Sequence, residues 1–332
     1  MIAATLYRGD VVENTHAAHV AVVDADGRLV HSFGDPSRVT LPRSAAKPAQ
    51  ALAVIETGAL ERFGFTDEDL ALMCGSHSSE PRHIERARAM LAKAHASESD
   101  LRCGGHPPIS DAVHRDWIKR DFTPTAVCSN CSGKHAGMLA GARAMDAPLD
   151  GYHLPAHPLQ QHVKRTMARA LDLPADAVQW AIDGCNLPTP AFALERLARL
   201  YMKIAAAPDG SPLARIHRAM TSHPELVAGE GRFCTLLMQA FGGALVGKTG
   251  ADASYAIGMR REQGALGIAI KVEDGNTSVL NAVVVHVLDL LGVGTQEQRD
   301  ALAAYRNPAT RNTMGVPTGR LDVGFTLNHH QQ

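Results

Sequence analysis

Several features that mark specialised protein classes are missing from this sequence. Lysine and arginine (33) are balanced by aspartate and glutamate (34), so no excess of positive charge is available for nucleic acid or anionic lipid. No cationic segment followed by a long apolar one opens the chain, and no stretch is long enough to cross a bilayer. The longest apolar run, Val279 to Gly292, contains Asn281, His286 and Asp289 and is typical of a core helix. We therefore predict a cytoplasmic protein that binds neither nucleic acid nor membranes.

Cysteine is also scarce, with six residues in 332. Because we find no secretory signal, disulfides are not expected, and the close pair Cys128 and Cys131 favours metal binding or reactivity. Apolar residues make up 45% and charged residues 20%, as in ordinary globular proteins. The length allows one large domain or two closely packed ones.

Strand patterns occur near both ends of the chain, and helix patterns occupy the middle. Two hairpins are predicted. The first pairs Ala18 to Asp24 with Arg28 to Phe33, and the second pairs Ser254 to Arg260 with Ala265 to Val272. A helix over Thr277 to Leu291 follows the second hairpin. The apolar spacing between them predicts helices over Ala45 to Thr57, Pro81 to His95, Leu159 to Leu171, Pro190 to Ala206 and Arg232 to Phe241.

This order predicts an α+β fold, because the strand–helix alternation of a parallel sheet is missing. We expect one antiparallel sheet built from the N- and C-terminal hairpins, with helices on its faces and a helical lobe inserted in the chain. Residues 1–332 would form a single catalytic unit, with a sheet lobe at about 1–40 and 245–332 and a helical lobe at about 41–244.

Ser44 and Lys47 form a Ser-x-x-Lys motif where a helix should begin, in the segment LPRSAAKPAQ. At this spacing the amine lies one turn from the hydroxyl and can reach it. A serine becomes a nucleophile when a base takes its proton, and a lysine that has lost its own proton is such a base. The alternative is that Ser44 caps the helix and Lys47 is solvated.

Lys248-Thr249-Gly250 follows the helical lobe and precedes the second hairpin. Ser-x-x-Lys followed by Lys-Thr-Gly on a late strand is the signature of serine β-lactamases and penicillin-binding proteins. Their middle Ser-x-Asn element is absent, because Ser129 and Asn130 are adjacent. The order of the two motifs favours catalysis over capping.

Three serines, Ser76, Ser78 and Ser79, precede a predicted helix. Capping accounts for one of them, with Ser79 as the cap and Pro81 early in the helix. Ser76 is then available as a second hydroxyl in a shared site.

Thiols, an amine and an imidazole are concentrated in the segment CSNCSGKH from Cys128 to His135, and Cys185 lies in a second polar loop. The two thiols of Cys-x-x-Cys could be a redox pair or ordinary buried cysteines. Coordination chemistry alone selects Cys128, Cys131, His135 and Cys185 for a tetrahedral zinc ion.

Together these segments resemble the class 3 L-asparaginases, a family of Ser-Lys amidohydrolases. The matching segments run from the first hairpin to the last part of the chain: LPRSAAKPAQ (41–50), CGSHSSE (74–80), CSNCSGKHAG (128–137), IDGCNLPTP (182–190) and GKTG (247–250). Five blocks in a fixed order are much more specific than either tripeptide motif.

The resemblance implies a fold similar to serine β-lactamases and glutaminases, with two Ser–Lys tandems at one substrate. Ser44 with Lys47 would be one tandem, and Ser76 with Lys248 the other. It also implies a zinc ion, and the matching ligands are Cys131, Lys134 and Cys185, with water completing the shell. His135 and Asp183 would orient ligand or water. A homodimer is expected from the family.

The implied reaction converts L-asparagine into L-aspartate and ammonia through an acyl-enzyme (EC 3.5.1.1). A free amino acid brings charges that need partners, and Arg43 is a candidate unless it is a surface arginine. The alternatives are a glutaminase or β-lactamase-like serine hydrolase with the same residues, and a non-catalytic module stabilised by zinc.

Overall fold

The computed structural model describes residues 1–330 of the chain. Its strands are β1 (Ile2–Arg8), β2 (Val11–Val23), β3 (Leu29–Phe33), β4 (Val39–Thr40), β5 (Gln179–Ile182), β6 (Pro188–Ala193), β7 (Leu245–Gly250), β8 (Ser254–Met259), β9 (Leu266–Val272), β10 (Ala309–Arg311), β11 (Pro317–Val323) and β12 (Asn328–His329). Its α-helices are α1 (Lys47–Glu56), α2 (Ala59–Arg62), α3 (Asp67–Cys74), α4 (Pro81–Lys93), α5 (Asp111–Lys119), α6 (Ser132–Ala144), α7 (Pro158–Ala170), α8 (Leu194–Ala206), α9 (Pro212–Ser222), α10 (Pro224–Val227), α11 (Phe233–Ala240), α12 (Thr277–Leu290), α13 (Gln296–Ala301) and α14 (Ala303–Arg306).

The chain divides into two compact units. The first contains Met1–Ala45, Phe192–Ala206 and the described part of the chain from Leu236 onward. The second contains Ala46–Ala191 and Ala207–Thr235. No helix within the described residues is both long and apolar enough to span a membrane.

The first unit is built on an antiparallel sheet with the strand order β10-β11-β1-β2-β9-β8-β7, and β3 pairs with both β2 and β12. Strands β2 and β9 pair directly, with Ala18 opposite Val272 and Val23 opposite Gly267. This pairing joins the two predicted hairpins in one sheet and confirms the α+β prediction.

The centre of this sheet is covered on both faces, which explains its continuous apolar strands. Every residue of β8 and β9 is buried. Helix α8 packs on β2, β8 and β9, and α12 packs on β8, β9 and β11. A strand between two helical layers has no solvent face, so it needs no alternation of polar residues.

The second unit is helical. Helix α3 packs against α6 and α9, and α1 packs against α7, so that Leu72, Met73, Met138 and Leu139 are fully buried. Gly133 allows α6 to approach α3, because a Cβ there would lie 2.7 Å from the main-chain oxygen of Leu72. This close packing fixes the start of α6, where the cysteine-rich segment lies.

The prediction of one helix over Pro190 to Ala206 is wrong in its first part. Residues Pro188–Ala193 form strand β6, and the helix begins at Leu194. Pro190 lacks an N–H group and disfavours helical backbone at the preceding Thr189. The apolar spacing continues through this segment, so it did not reveal the change from strand to helix.

Candidate active site

Ser44 lies in a short 3-10 helix, Arg43–Ala46, that leads directly into α1. The capping alternative for Ser44 is wrong, because the N-cap residue of α1 is Ala46 and its side chain makes no capping bond. Arg43 has a φ of 50°, in the left-handed region. Such a conformation costs about 1–3 kcal/mol in a non-glycine residue and persists where the surroundings enforce it.

The Lys-Thr-Gly motif forms the end of β7 and lies against the segment that carries Ser44. A Cβ on Gly250 would lie 2.0 Å from the oxygen of Pro42 and 3.3 Å from the nitrogen of Ala45. Only glycine permits this approach of two backbones. The hydroxyl of Tyr201 donates to the oxygen of Ala45 (2.9 Å) and holds the same segment. The first unit therefore places the Lys-Thr-Gly motif beside the segment that carries Ser44.

Two basic side chains of the first unit have defined partners. Lys248 is fully buried, and its Nζ donates to the oxygen of Thr249 (2.7 Å). Arg43 forms an ion pair with Asp252 (2.5 Å), in which the side chains are 25% and 70% exposed. The guanidinium of Arg43 thus already has a carboxylate partner.

In the second unit, Lys47 contacts Ser76. The Lys47 side chain is fully buried, and its Nζ donates to Ser76 Oγ (3.0 Å), to Asn130 O (3.4 Å) and to Gly75 O. The sequence pattern paired Lys47 with Ser44, and the hydroxyl that the Lys47 amine contacts in the second unit is that of Ser76. The contact with Asn130 also connects Lys47 to the cysteine-rich segment.

The segment after Ser76 is fixed by side-chain hydrogen bonds. The cap of α4 is Glu80, so the expectation that Ser79 caps this helix is wrong. Ser79 has a φ of 58°, and its hydroxyl donates to Cys128 O (2.7 Å) instead. His77 is buried, and the backbone N–H of Ser79 donates to its Nδ1, so Nε2 carries the hydrogen and donates to Ser132 Oγ (2.9 Å).

Cys131, Lys134 and Cys185 come together in the second unit. Lys134 Nζ donates to Cys185 Sγ (3.1 Å), and the thiol of Cys131 hydrogen-bonds the same sulfur. That bond and the Lys134 charge lower the pKa of Cys185 to about 5, whereas the bond and burial raise the pKa of Cys131 to about 12. Burial alone would lower the pKa of Lys134, but the charges of Cys185, Cys131 and Asp183 raise it.

Cysteine sulfurs are preferred zinc ligands, and the amine nitrogen of Lys134 lies within hydrogen-bond reach of one of them. The alternative set of Cys128, Cys131, His135 and Cys185 is not assembled, because residues 1–330 contain no group of three or more His, Cys, Asp or Glu that could hold a metal ion. Zinc binding would require Lys134 and Cys131 to lose their protons and Cys185 to bind as a thiolate.

His135 and Asp183 flank this cluster. The carboxylate of Asp183 lies 3.9 Å from Cys185 Sγ and accepts the backbone N–H of Gly184. Burial, followed by the Lys134 charge, lowers the pKa of His135 to about 3, so its ring is neutral. The hydroxyl of Tyr152 lies 2.5 Å from His135 Nδ1 and leaves His135 Nε2 buried without a protein partner among the described residues.

Three functional candidates carry no recognisable sequence motif. Tyr152 contacts His135, Asn130 O accepts from Lys47, and Arg232 Nη1 donates to the main-chain oxygen of Ser76 (2.6 Å). A single tyrosine or arginine is common on any protein surface, so only the folded chain identifies these residues.

Comparison with known proteins gives one family. The crystal structure of a candidate β-lactamase from Bacteroides dorei is similar to this chain, with 12% sequence identity and a TM-score of 0.42. The matched region covers 82% of this chain and 93% of the β-lactamase chain. That likeness is too low to support a conclusion about activity, and comparison with curated proteins gives no match. The model of the L-asparaginase II family matches residues 4–323. The chain therefore belongs to the L-asparaginase II family and is an amidohydrolase.

Proposed function

We propose that the chain hydrolyses the side-chain amide of L-asparagine with Ser44 as nucleophile and Lys47 as its base. The observation that carries the proposal is the buried Lys47 amine, which lies three residues after Ser44 and 3.0 Å from the hydroxyl of Ser76. An amine held against a hydroxyl in a buried setting is suited to move a proton to or from it.

In the proposed reaction, Ser44 Oγ bonds to the amide carbon while its proton passes to the unprotonated Lys47 amine. The tetrahedral intermediate then breaks its carbon–nitrogen bond, and the leaving nitrogen takes up a proton to become ammonia. We propose that Ser76, which accepts a hydrogen bond from Lys47, relays that proton. Ser76 and Lys248 form the proposed second pair. Water then cleaves the ester and releases L-aspartate.

We further propose one zinc ion bound by Cys131, Lys134 and Cys185 with a water molecule. When bound, zinc supplies positive charge that strengthens substrate binding. His135 and Asp183 orient the ligands and the water, and the buried Nε2 of His135 has no protein partner among the described residues. By resemblance to the family, we also propose a cytoplasmic homodimer.

The test is replacement of Ser44 by alanine. Loss of an activated nucleophile should lower kcat for ammonia release by several orders of magnitude with little change in thermal stability. Ser211→Ala is a matched control, because Ser211 caps α9 through a bond to Ala214 N. It should keep full activity while losing about 1 kcal/mol of stability. A folded Ser44→Ala protein with a tenth of wild-type kcat would exclude Ser44 as the nucleophile. Glutamine assayed beside asparagine in the same series tests the glutaminase alternative.

A further inference from the structure

The loop from Ala228 to Arg232 is held firmly against the segment that contains Ser76. Ser78 Oγ donates to Ala228 O (2.8 Å), and the backbone N–H of Glu230 donates to Glu80 Oε1 (2.8 Å). Gly229 has a φ of 130°, and a Cβ there would lie 2.4 Å from Ser78 Oγ. Only glycine fits this position, so the loop follows one path.

This loop places the guanidinium of Arg232 beside Ser76. Arg232 Nη1 donates to Ser76 O (2.6 Å) and to Ala228 O (3.2 Å). Both acceptors are neutral carbonyls, and no carboxylate within residues 1–330 pairs with this guanidinium. Its Nε and Nη2 also have no acceptor among those residues. Arg232 is therefore a half-buried cation, positioned by the fold but not neutralised by it.

Two other arginines are paired with carboxylates. Arg82 pairs with Glu80 (3.1 Å) and Glu230 (3.5 Å), and Arg43 pairs with Asp252 (2.5 Å). An arginine whose planar donors are already occupied by a carboxylate has less to offer a second one. The comparison favours Arg232 over Arg43 as the partner of an anionic group.

We propose that Arg232 binds the α-carboxylate of the substrate, and thereby restricts the enzyme to amides of free amino acids. The proposal rests on the proposed roles of Lys47 and Ser76. In asparagine, only Cα and Cβ separate the carboxylate from the reacting amide. A guanidinium bonded to the main chain of Ser76 can reach the carboxylate while the amide lies near the Ser76 hydroxyl. Arginine binds carboxylates through two parallel hydrogen bonds, and Nε with Nη2 provides such a pair.

The experiment compares L-asparagine with β-alaninamide, which is asparagine without its α-carboxylate. Wild-type enzyme should strongly prefer asparagine. Arg232→Met should lower kcat/KM for asparagine by about 10- to 100-fold, mainly through KM, and leave β-alaninamide turnover nearly unchanged. Arg232→Lys, which keeps a cation and a donor for Ser76 O, should have a kcat/KM for asparagine between those of wild type and Arg232→Met. Arg82→Met is the matched control and should keep the wild-type preference.

Product inhibition gives a second measurement that does not depend on turnover of a poor substrate. Inhibition by L-aspartate should weaken in Arg232→Met, whereas inhibition by β-alanine, which lacks the α-carboxylate, should not change. An equal loss of kcat/KM for asparagine and β-alaninamide in Arg232→Met would show that Arg232 only supports the loop and would overturn the proposal. Loss of the preference in Arg43→Met, with Arg232→Met unchanged, would also overturn it.

The proposed function is tested separately by Lys47→Met and Ser76→Ala. If both retain ammonia release, the proposed catalytic roles are wrong, whatever the preference of the Arg232 variants. If both lose it while Arg232→Met keeps the wild-type preference, the catalytic roles stand and the role of Arg232 is wrong.

Discussion

Replacing Gly250 by alanine tests whether the Lys-Thr-Gly strand positions Ser44. A Cβ at Gly250 would lie 2.0 Å from the oxygen of Pro42 and 3.1 Å from its carbonyl carbon. Both are main-chain atoms, so rotation of a side chain cannot relieve the clash. The strand, or the segment that carries Ser44, has to move.

The size of that movement follows from the contact distance. Carbon Cβ atoms in proteins essentially never approach other heavy atoms closer than 3.0 Å. The two backbones must therefore separate by about 1 Å, and a misplacement of that size can lower the rate of an enzyme about 100-fold. The overpacking should also reduce the free energy of unfolding by about 1–3 kcal/mol.

The assay measures kcat and KM for ammonia release from asparagine, together with thermal unfolding. Gly324→Ala is the control, because no atom lies within 4 Å of a Cβ at that position. We expect Gly324→Ala to behave as wild type, and Gly250→Ala to lose most of its kcat while remaining folded. A folded Gly250→Ala enzyme with more than half of wild-type kcat would refute the argument that this contact places Ser44.

Three further predictions address the metal, the base and a buried histidine. Elemental analysis should find about one zinc per chain in wild type and in Cys128→Ser but almost none in Cys131→Ser. Metal should be lost as pH falls, because protons compete for the ligands. The opposite result for the two variants would restore Cys128 as a ligand. Lys47→Met should lose nearly all ammonia release, because the proposed base would then be missing, and Lys248→Met should also retain little activity; a folded Lys47→Met enzyme with a tenth of wild-type kcat would exclude Lys47 as the base. Burial, followed by the charges of its neighbours, holds the pKa of His77 well below its ordinary value. Below about pH 6.5 the unfolded chain therefore binds a proton at this histidine that the folded chain does not. As pH is lowered from that value, the free energy of unfolding should decrease by up to about 1.4 kcal/mol per pH unit from this group. His77→Gln should remove that part of the slope in denaturant titrations, and an unchanged slope would contradict the assignment.

The sheet could be predicted because its hairpins are marked by local patterns. Apolar strands flanking short polar turns identified β2 with β3 and β8 with β9. Strand β1 and the C-terminal strand β11 were not predicted. Their segments are short and half exposed, and they are stabilised as strands by pairing with each other across the full length of the chain. Such pairing depends on partners that local spacing does not identify.

The catalytic motifs were recognisable for a related reason. Ser44 and Lys47 are one helical turn apart, so spacing alone predicts that the amine can reach the hydroxyl. The bond between Lys47 and Ser76 joins residues 29 positions apart, and the bond between Arg232 and Ser76 spans 156 positions. Neither separation corresponds to the repeat of a helix or strand, so no local sequence pattern predicts these contacts.

The cluster of Cys131, Lys134 and Cys185 shows how residue type and the contacts of the folded chain favour different candidate ligand sets. Zinc chemistry favours histidine over lysine, because a lysine ligand must first lose a proton. Residue type therefore selected His135, whose Nδ1 contacts Tyr152 and whose Nε2 has no protein partner among the described residues, whereas Lys134 Nζ lies 3.1 Å from Cys185 Sγ. Without metal, the Cys185 thiolate and the Lys134 ammonium neutralise each other in a buried site. If zinc binds there, its positive charge replaces the proton of Lys134 as the partner of that thiolate. A cluster that neutralises its charges in both states avoids leaving an uncompensated buried thiolate, which supports the proposal that Lys134 serves as a ligand where histidine is expected.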